Sequence, residues 1–106
     1  MATHGMIDLE TLGVEPDSVI ITLGAVKFDP FSSAEPDNGL YLRCDIEEQS
    51  EKYKRSIDDN TLAWWSKQKK EIKDEAFGDH DRVNMDSLTK QLNKWCVGVD
   101  YLWCQG

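Results

Sequence analysis

Apolar residues occupy every second position at Leu40, Leu42, Cys44 and Ile46, with Tyr41, Arg43 and Asp45 between them. That alternation predicts a strand with one covered and one exposed face. Residues 5–10 read as a strand in the same way, with Ile7 and Leu9 on one face and Met6, Asp8 and Glu10 on the other. The run 19–28 is almost continuously apolar, as in a strand covered on both faces. Asp29-Pro30 ends it, because proline cannot donate to a ladder. Gly13, Pro16 and Asp17 make 11–18 a turn, and the serines, proline and Asn38-Gly39 step make 31–38 a hairpin loop. The first half is therefore predicted to be a meander of three antiparallel strands.

The period then changes. Residues 47–57 are charged and polar and predict an exposed connection. Asp58 or Asp59 can cap a helix from about Asn60, in which Leu62, Trp65 and Ile72 share one face and Thr61, Trp64 and Gln68 a neighbouring one. Lys67, Lys69, Lys70 and Lys73 point mostly outward, as a solvated face. Residues 78–83, with His80 between Asp79 and Asp81, read as a polar loop, and His4 as a solvated terminal residue. Asn84 caps a second helix carrying Met85, Leu88, Leu92 and Trp95 at helical spacing, and Gly98 sits where it ends. Residues 100–106 read as the start of a buried strand.

Within this pattern, Asp8 and Glu10 are the candidate chemistry. Side chains at i and i+2 on a strand lie about 6.6 Å apart along it. Two carboxylates there repel unless a cation lies between them, and hard oxygen ligands suit Mg²⁺ or Mn²⁺. Spacing alone does not single them out, since Glu15/Asp17, Glu35/Asp37, Asp45/Glu47 and Asp79/Asp81 share it. Their setting does. They lie in an apolar strand expected to be buried, where unpartnered carboxylates are costly.

Composition narrows the field. The 106 residues make one small domain, with 40% hydrophobic content and four tryptophans to fill a core. The net charge of −8 argues against broad electrostatic binding of nucleic acid, though bound cations can supply positive charge locally. No run approaches the ~20 apolar residues of a membrane span and no basic-then-apolar leader opens the chain, so no membrane partner is expected. Cys44, Cys96 and Cys104 form no Cys-x-x-Cys and fit a reducing, cytoplasmic setting.

The ordered set Met6-Ile7-Asp8-Leu9-Glu10-Thr11-Leu12-Gly13, then Ile20 to Pro30 with its ending Gly24-Ala25-Val26-Lys27-Phe28-Asp29-Pro30, then Thr61-Leu62-Ala63-Trp64-Trp65-Ser66-Lys67-Gln68, then Trp103-Cys104-Gln105-Gly106 resembles the DEDD family of 3′–5′ exonucleases. Within it the chain is most similar to the exonuclease A type of T-even-type phages. The resemblance covers nearly the whole chain in the same order. It implies an α/β, ribonuclease-H-like fold: the antiparallel three-strand meander, two helices and a fourth strand parallel to the first.

In such enzymes four carboxylates hold two divalent metals, Mg²⁺ or Mn²⁺, for phosphodiester hydrolysis at single-stranded 3′ ends, and a His or Tyr serves as base. By match of position Asp8 and Glu10 would be the first two metal ligands, and Thr11, Leu12 and Gly13 would pack against the terminal nucleotide. Trp64 would line the cleft, where aromatics stack on bases, and Trp65 would be core. The family's later motifs, a Phe-Asp and a base with a final Asp, are not in residues 1–106. The resemblance therefore implies the N-terminal part of a single exonuclease domain, incomplete at its C-terminus and weakly active or inactive alone. No residue is assignable to a 2′-hydroxyl contact, so DNA and RNA are both open as substrates. The rival reading is a non-enzymatic acidic interaction module, or a remnant of the exonuclease fold, in which the two carboxylates only decorate a surface.

Overall fold

Ile7, Leu23, Ala25 and Leu42 converge on one side of a sheet whose strands carry them at alternate positions. In the computed structural model, which describes residues 3–31 and 37–104, the strands are β1 (His4–Thr11), β2 (Ile20–Phe28), β3 (Asp37–Cys44), β4 (Arg82–Val83) and β5 (Tyr101–Cys104). Their spatial order is β4-β3-β2-β1-β5. β1, β2 and β3 form the antiparallel meander, while β5 runs parallel to β1 and β4 parallel to β3. The body of the expected hairpin loop, residues 32–36, and the terminal Gln105 and Gly106 lie outside the described residues. Asn38-Gly39 falls within β3 rather than in the turn.

Four helices complete the chain: α1 (Ile46–Glu51), α2 (Asp59–Ser66), α3 (Lys70–Phe77) and α4 (Met85–Trp95). α4 begins at Asn84, whose side chain accepts from Ser87 N, and its Leu88, Leu92 and Trp95 cover the Ile7/Leu23/Leu42 face. Gly5 is required beneath it, because a Cβ there would come within 2.7 Å of the Trp95 ring. A second core joins Leu12, Val19 and Ile21 to Trp65 and Ala76, and so fastens α2 and α3 to the far ends of β1 and β2.

Several expectations need correction. Residues 47–57 are not all exposed connection, since Asp45 caps α1 by accepting from Glu48 N at 3.0 Å. The helix buries Gln49 completely, at 0% exposure. Its amide accepts from Ile20 N and donates to Ile20 O, both at 2.8 Å, and donates to Asp45 O at 3.0 Å. A side chain thus bonds the first residue of β2, whose register partner is Thr11 of β1 and which lies beyond the stretch of β2 paired with β3. The single helix expected from Asn60 is two. Lys67 N and Gln68 N bond back to the carbonyls three residues earlier, which tightens and ends α2, and Lys69 is extended before α3. The break turns Ala76 and Phe77 inward and leaves Leu62 and Ile72 exposed.

Arg43, placed by alternation on an exposed face, is only 7% exposed because α3 lies over it. β5, expected to be buried, is exposed along its length, since among the described residues no element covers it. His4 belongs to β1, stacks on Tyr101 at 4.9 Å and accepts from Trp103 Nε1 at 2.9 Å. The loop over 78–83 gives its last two residues to β4. The three cysteines are free, and burial pushes the Cys44 thiol up to about 11. Among the described residues no helix is long and apolar enough to cross a membrane.

Gln49→Ala would leave the partly buried Ile20 N–H and C=O without these partners. Such groups cost about 1–3 kcal/mol each, so urea unfolding should show a loss of about 3 kcal/mol, while an exposed change such as Glu47→Ala should cost well under 1 kcal/mol.

Candidate nucleic-acid site on the open face of the sheet

Asp8 and Glu10 project from the face of β1 opposite the α4 core. The register sets Asp8 beside Gly24 and Tyr41, and Glu10 beside Thr22 and Arg43. Both carboxylates are exposed, contrary to the expectation of a buried strand. Among the described residues β5 pairs with His4 to Ile7 of β1. Partial loss of water, and then the charge of Asp8, raise the Glu10 carboxyl above the usual range.

The turn after β1 is bolted down. Thr11 Oγ1 donates to Gly13 O at 2.7 Å, and Gly13 lies so close to Ser18 that a Cβ would collide with it. Leu12 is 2% exposed and packs in the second core. Its N–H donates to Val19 O at 2.9 Å and its carbonyl accepts from Asp58 N at 2.7 Å. Leu12 was expected against a nucleotide, but with side chain and backbone both committed it can only support the turn. Thr11 and Gly13 are partly exposed at its edge.

Asp58 also caps α2, accepting from Thr61 N at 2.9 Å, and Trp65 Nε1 donates to Thr11 O at 3.3 Å. These bonds place α2 directly beside Glu10. Trp65 is 6% exposed and Trp64 54%, the two rings meeting edge-on at 5.0 Å. A hollow of about 450 Å³ lies between Glu10, Thr22 and Tyr41 on the sheet and Trp64 of α2, Gln68 of the turn after it and Glu71 of α3. A second, mostly apolar hollow of about 410 Å³ continues past Tyr41 over Met6, Asp8, Gly24 and Val26.

Tyr41 was not singled out in the sequence, where it is one exposed member of an alternating strand. In the fold it separates the two hollows, and its hydroxyl donates to Glu75 Oε1 at 2.8 Å. Its position opposite Gly24, on the row that carries Asp8, becomes visible once the strand register is known.

Asp8 and Glu10 have the hard oxygen donors that Mg²⁺ or Mn²⁺ prefers. Among the described residues, no group of three or more His, Cys, Asp or Glu could hold a metal ion. The donors thus fit a divalent cation in kind and supply part of a coordination shell.

A mixed five-stranded sheet in this order, flanked by helices, makes this an α/β domain of ribonuclease-H-like fold. More particularly, residues 3–106 match the family described as the 3′-5′ exoribonuclease Rv2179c-like domain, and the chain belongs to that family. The fold is similar to the crystal structure of cell-death related nuclease 4 (CRN-4), with a TM-score of 0.51 and 15% identity over 96% of this chain. The chain spans 34% of the CRN-4 chain. No curated protein matches it by sequence.

Because the Glu10 carboxyl is raised in the folded chain, its ionised form is less favourable there than in the unfolded chain. Glu10→Gln should therefore stabilise the protein at pH 7. Water screens so exposed a group, so the gain should be a few tenths of a kcal/mol. It should vanish as pH falls through the raised value and Glu10 takes up its proton. Urea titrations of both proteins at several pH values between 3 and 7 measure this directly.

Proposed function

We propose that this chain supplies the first carboxylate pair of a metal-dependent 3′–5′ exonuclease acting on single-stranded nucleic-acid ends. The observation that carries the reading is the position of Asp8 and Glu10. They share one face at the exposed end of β1, beside a hollow walled by an exposed tryptophan. RNA is favoured as the substrate because the matched family is described as exoribonuclease.

Asp8 and Glu10 would hold Mg²⁺ or Mn²⁺, which when bound polarises a phosphodiester and activates water in the two-metal scheme. Trp64 offers a stacking surface for a base. Thr11 and Gly13 present the rim of the turn to the terminal nucleotide, and Leu12 holds that turn rigid from below. With a net charge of −8, the chain needs such cations to bring a phosphate to this face. The motifs matched provide two of four family carboxylates and no base, so we read 1–106 as the N-terminal part of the catalytic domain, with little or no turnover alone. The finer kinship with the exonuclease A type of T-even-type phages rests on the motifs of β1, β2 and α2.

Calorimetric titration of Mn²⁺ into the wild-type chain and into Asp8→Asn/Glu10→Gln tests the reading. Binding should weaken by about tenfold or more in the double variant. Equal heats for the two proteins would instead favour an acidic interaction module.

A further inference from the structure

The hollow beside Glu10 has a one-sided hydrogen-bonding inventory. Tyr41 donates its hydroxyl to Glu75 at 2.8 Å and lies within hydrogen-bond reach of the Thr22 hydroxyl. Gln68 spends an amide N–H on Trp64 O at 3.0 Å, and Trp65 spends its indole N–H on Thr11 O at 3.3 Å. Acceptors dominate its lining, with the carboxylates of Glu10, Glu71 and Glu75 against the one remaining amide N–H of Gln68. No lysine or arginine is among its lining residues. Such a space repels phosphate and favours an uncharged, flat group that carries donors and can lie on the exposed Trp64 ring.

From this we infer that the hollow is a nucleoside subsite that selects bases with adjacent donors, guanine above all, and that Glu71 is its specificity-determining residue. The inference rests on the exonuclease reading for the source of the nucleoside, the terminal unit of the strand. Glu75 is occupied by Tyr41, and Glu10 sits with Asp8 at the candidate cation site. Glu71 lies one helical turn before Glu75, on the same face of α3, and has no hydrogen bond or ion pair among the described residues.

Guanine presents N1–H and an exocyclic amine side by side, which one carboxylate can accept together. Uracil has a single N3–H flanked by two carbonyl oxygens, which a carboxylate repels. Hydrogen-bond readout of a base edge is worth about 1–3 kcal/mol per good bidentate pair, so a preference of about tenfold is expected.

The test uses the whole chain without metal, with guanosine and uridine as ligands. Binding is followed by the Trp64 indole N–H resonance, assigned by its loss in Trp64→Phe. Guanosine should bind about tenfold more tightly than uridine. Glu71→Gln should reduce that ratio to about threefold or less by weakening guanosine alone. Equal affinities, or a ratio that Glu71→Gln leaves unchanged, would overturn the selectivity. If the Trp64 resonance still moves in those cases, the hollow takes nucleosides and the exonuclease reading stands. A Trp64 resonance that neither nucleoside moves would overturn the subsite itself. The exonuclease reading falls separately, on equal Mn²⁺ heats for wild type and Asp8→Asn/Glu10→Gln.

Discussion

Two arginines hold α3 against the sheet, and the geometry of the open face depends on them. The last carbonyls of a helix have no partners within it, and burying them bare is costly. Here Arg43 of β3 donates to the carbonyls of Glu75 at 2.7 Å, Gly78 at 3.0 Å and His80 at 3.0 Å. Arg82 of β4 donates to Gly78 O at 3.0 Å, to Ala76 O, and across the sheet to Ile21 O and Cys44 O at 3.2 and 3.0 Å. Among the described residues neither guanidinium forms a salt bridge with a carboxylate, and both sit at the negative end of the helix dipole. The pins decide where Glu75 meets Tyr41, and with the second core they decide how far Trp64 stands from Glu10.

The turn after β1 supplies the matching constraint from the other side. Leu12 is locked by Val19 and Asp58, Asp58 caps α2, and Trp65 reaches back to Thr11. The carboxylate strand and the tryptophan helix are thereby tied together, and the hollow between them is framed by these bonds, the buried Trp65 of its own lining among them. Its lining can then be chemically one-sided without endangering the fold. Carboxylates at its rim stay exposed to water, where their mutual repulsion costs little.

Strand alternation, the proline after the second run, the caps at Asp58 and Asn84 and the heptad-like spacing of Leu88, Leu92 and Trp95 are local signals, and each could be read correctly from neighbouring residues alone. So could the pairing of Asp8 and Glu10 on one face. The helix α1 could not, because five of its six residues are charged or polar and its only buried side chain is a glutamine. The break between α2 and α3 was hidden because Leu62, Trp65 and Ile72 fit one continuous helical face, whereas the observed core takes Trp65, Ala76 and Phe77.

Residue order alone therefore indicates the three meander strands, the helix starts at Asp58 and Asn84 and the sharing of one strand face by Asp8 and Glu10, since these depend on periods of two and 3.6 and on the chemistry of single side chains. Long-range pairing settles the rest. Arg43 is buried because α3 crosses it, Leu12 is withdrawn because Val19 and Asp58 claim its backbone, and Tyr41 is at the site because the register of β1, β2 and β3 puts it there. Asp8 and Glu10 meet Gly24 and Thr22 because the register of β1 and β2 pairs them. Which edge of a sheet stays open is a property of how all its strands assemble, and no single strand carries that information.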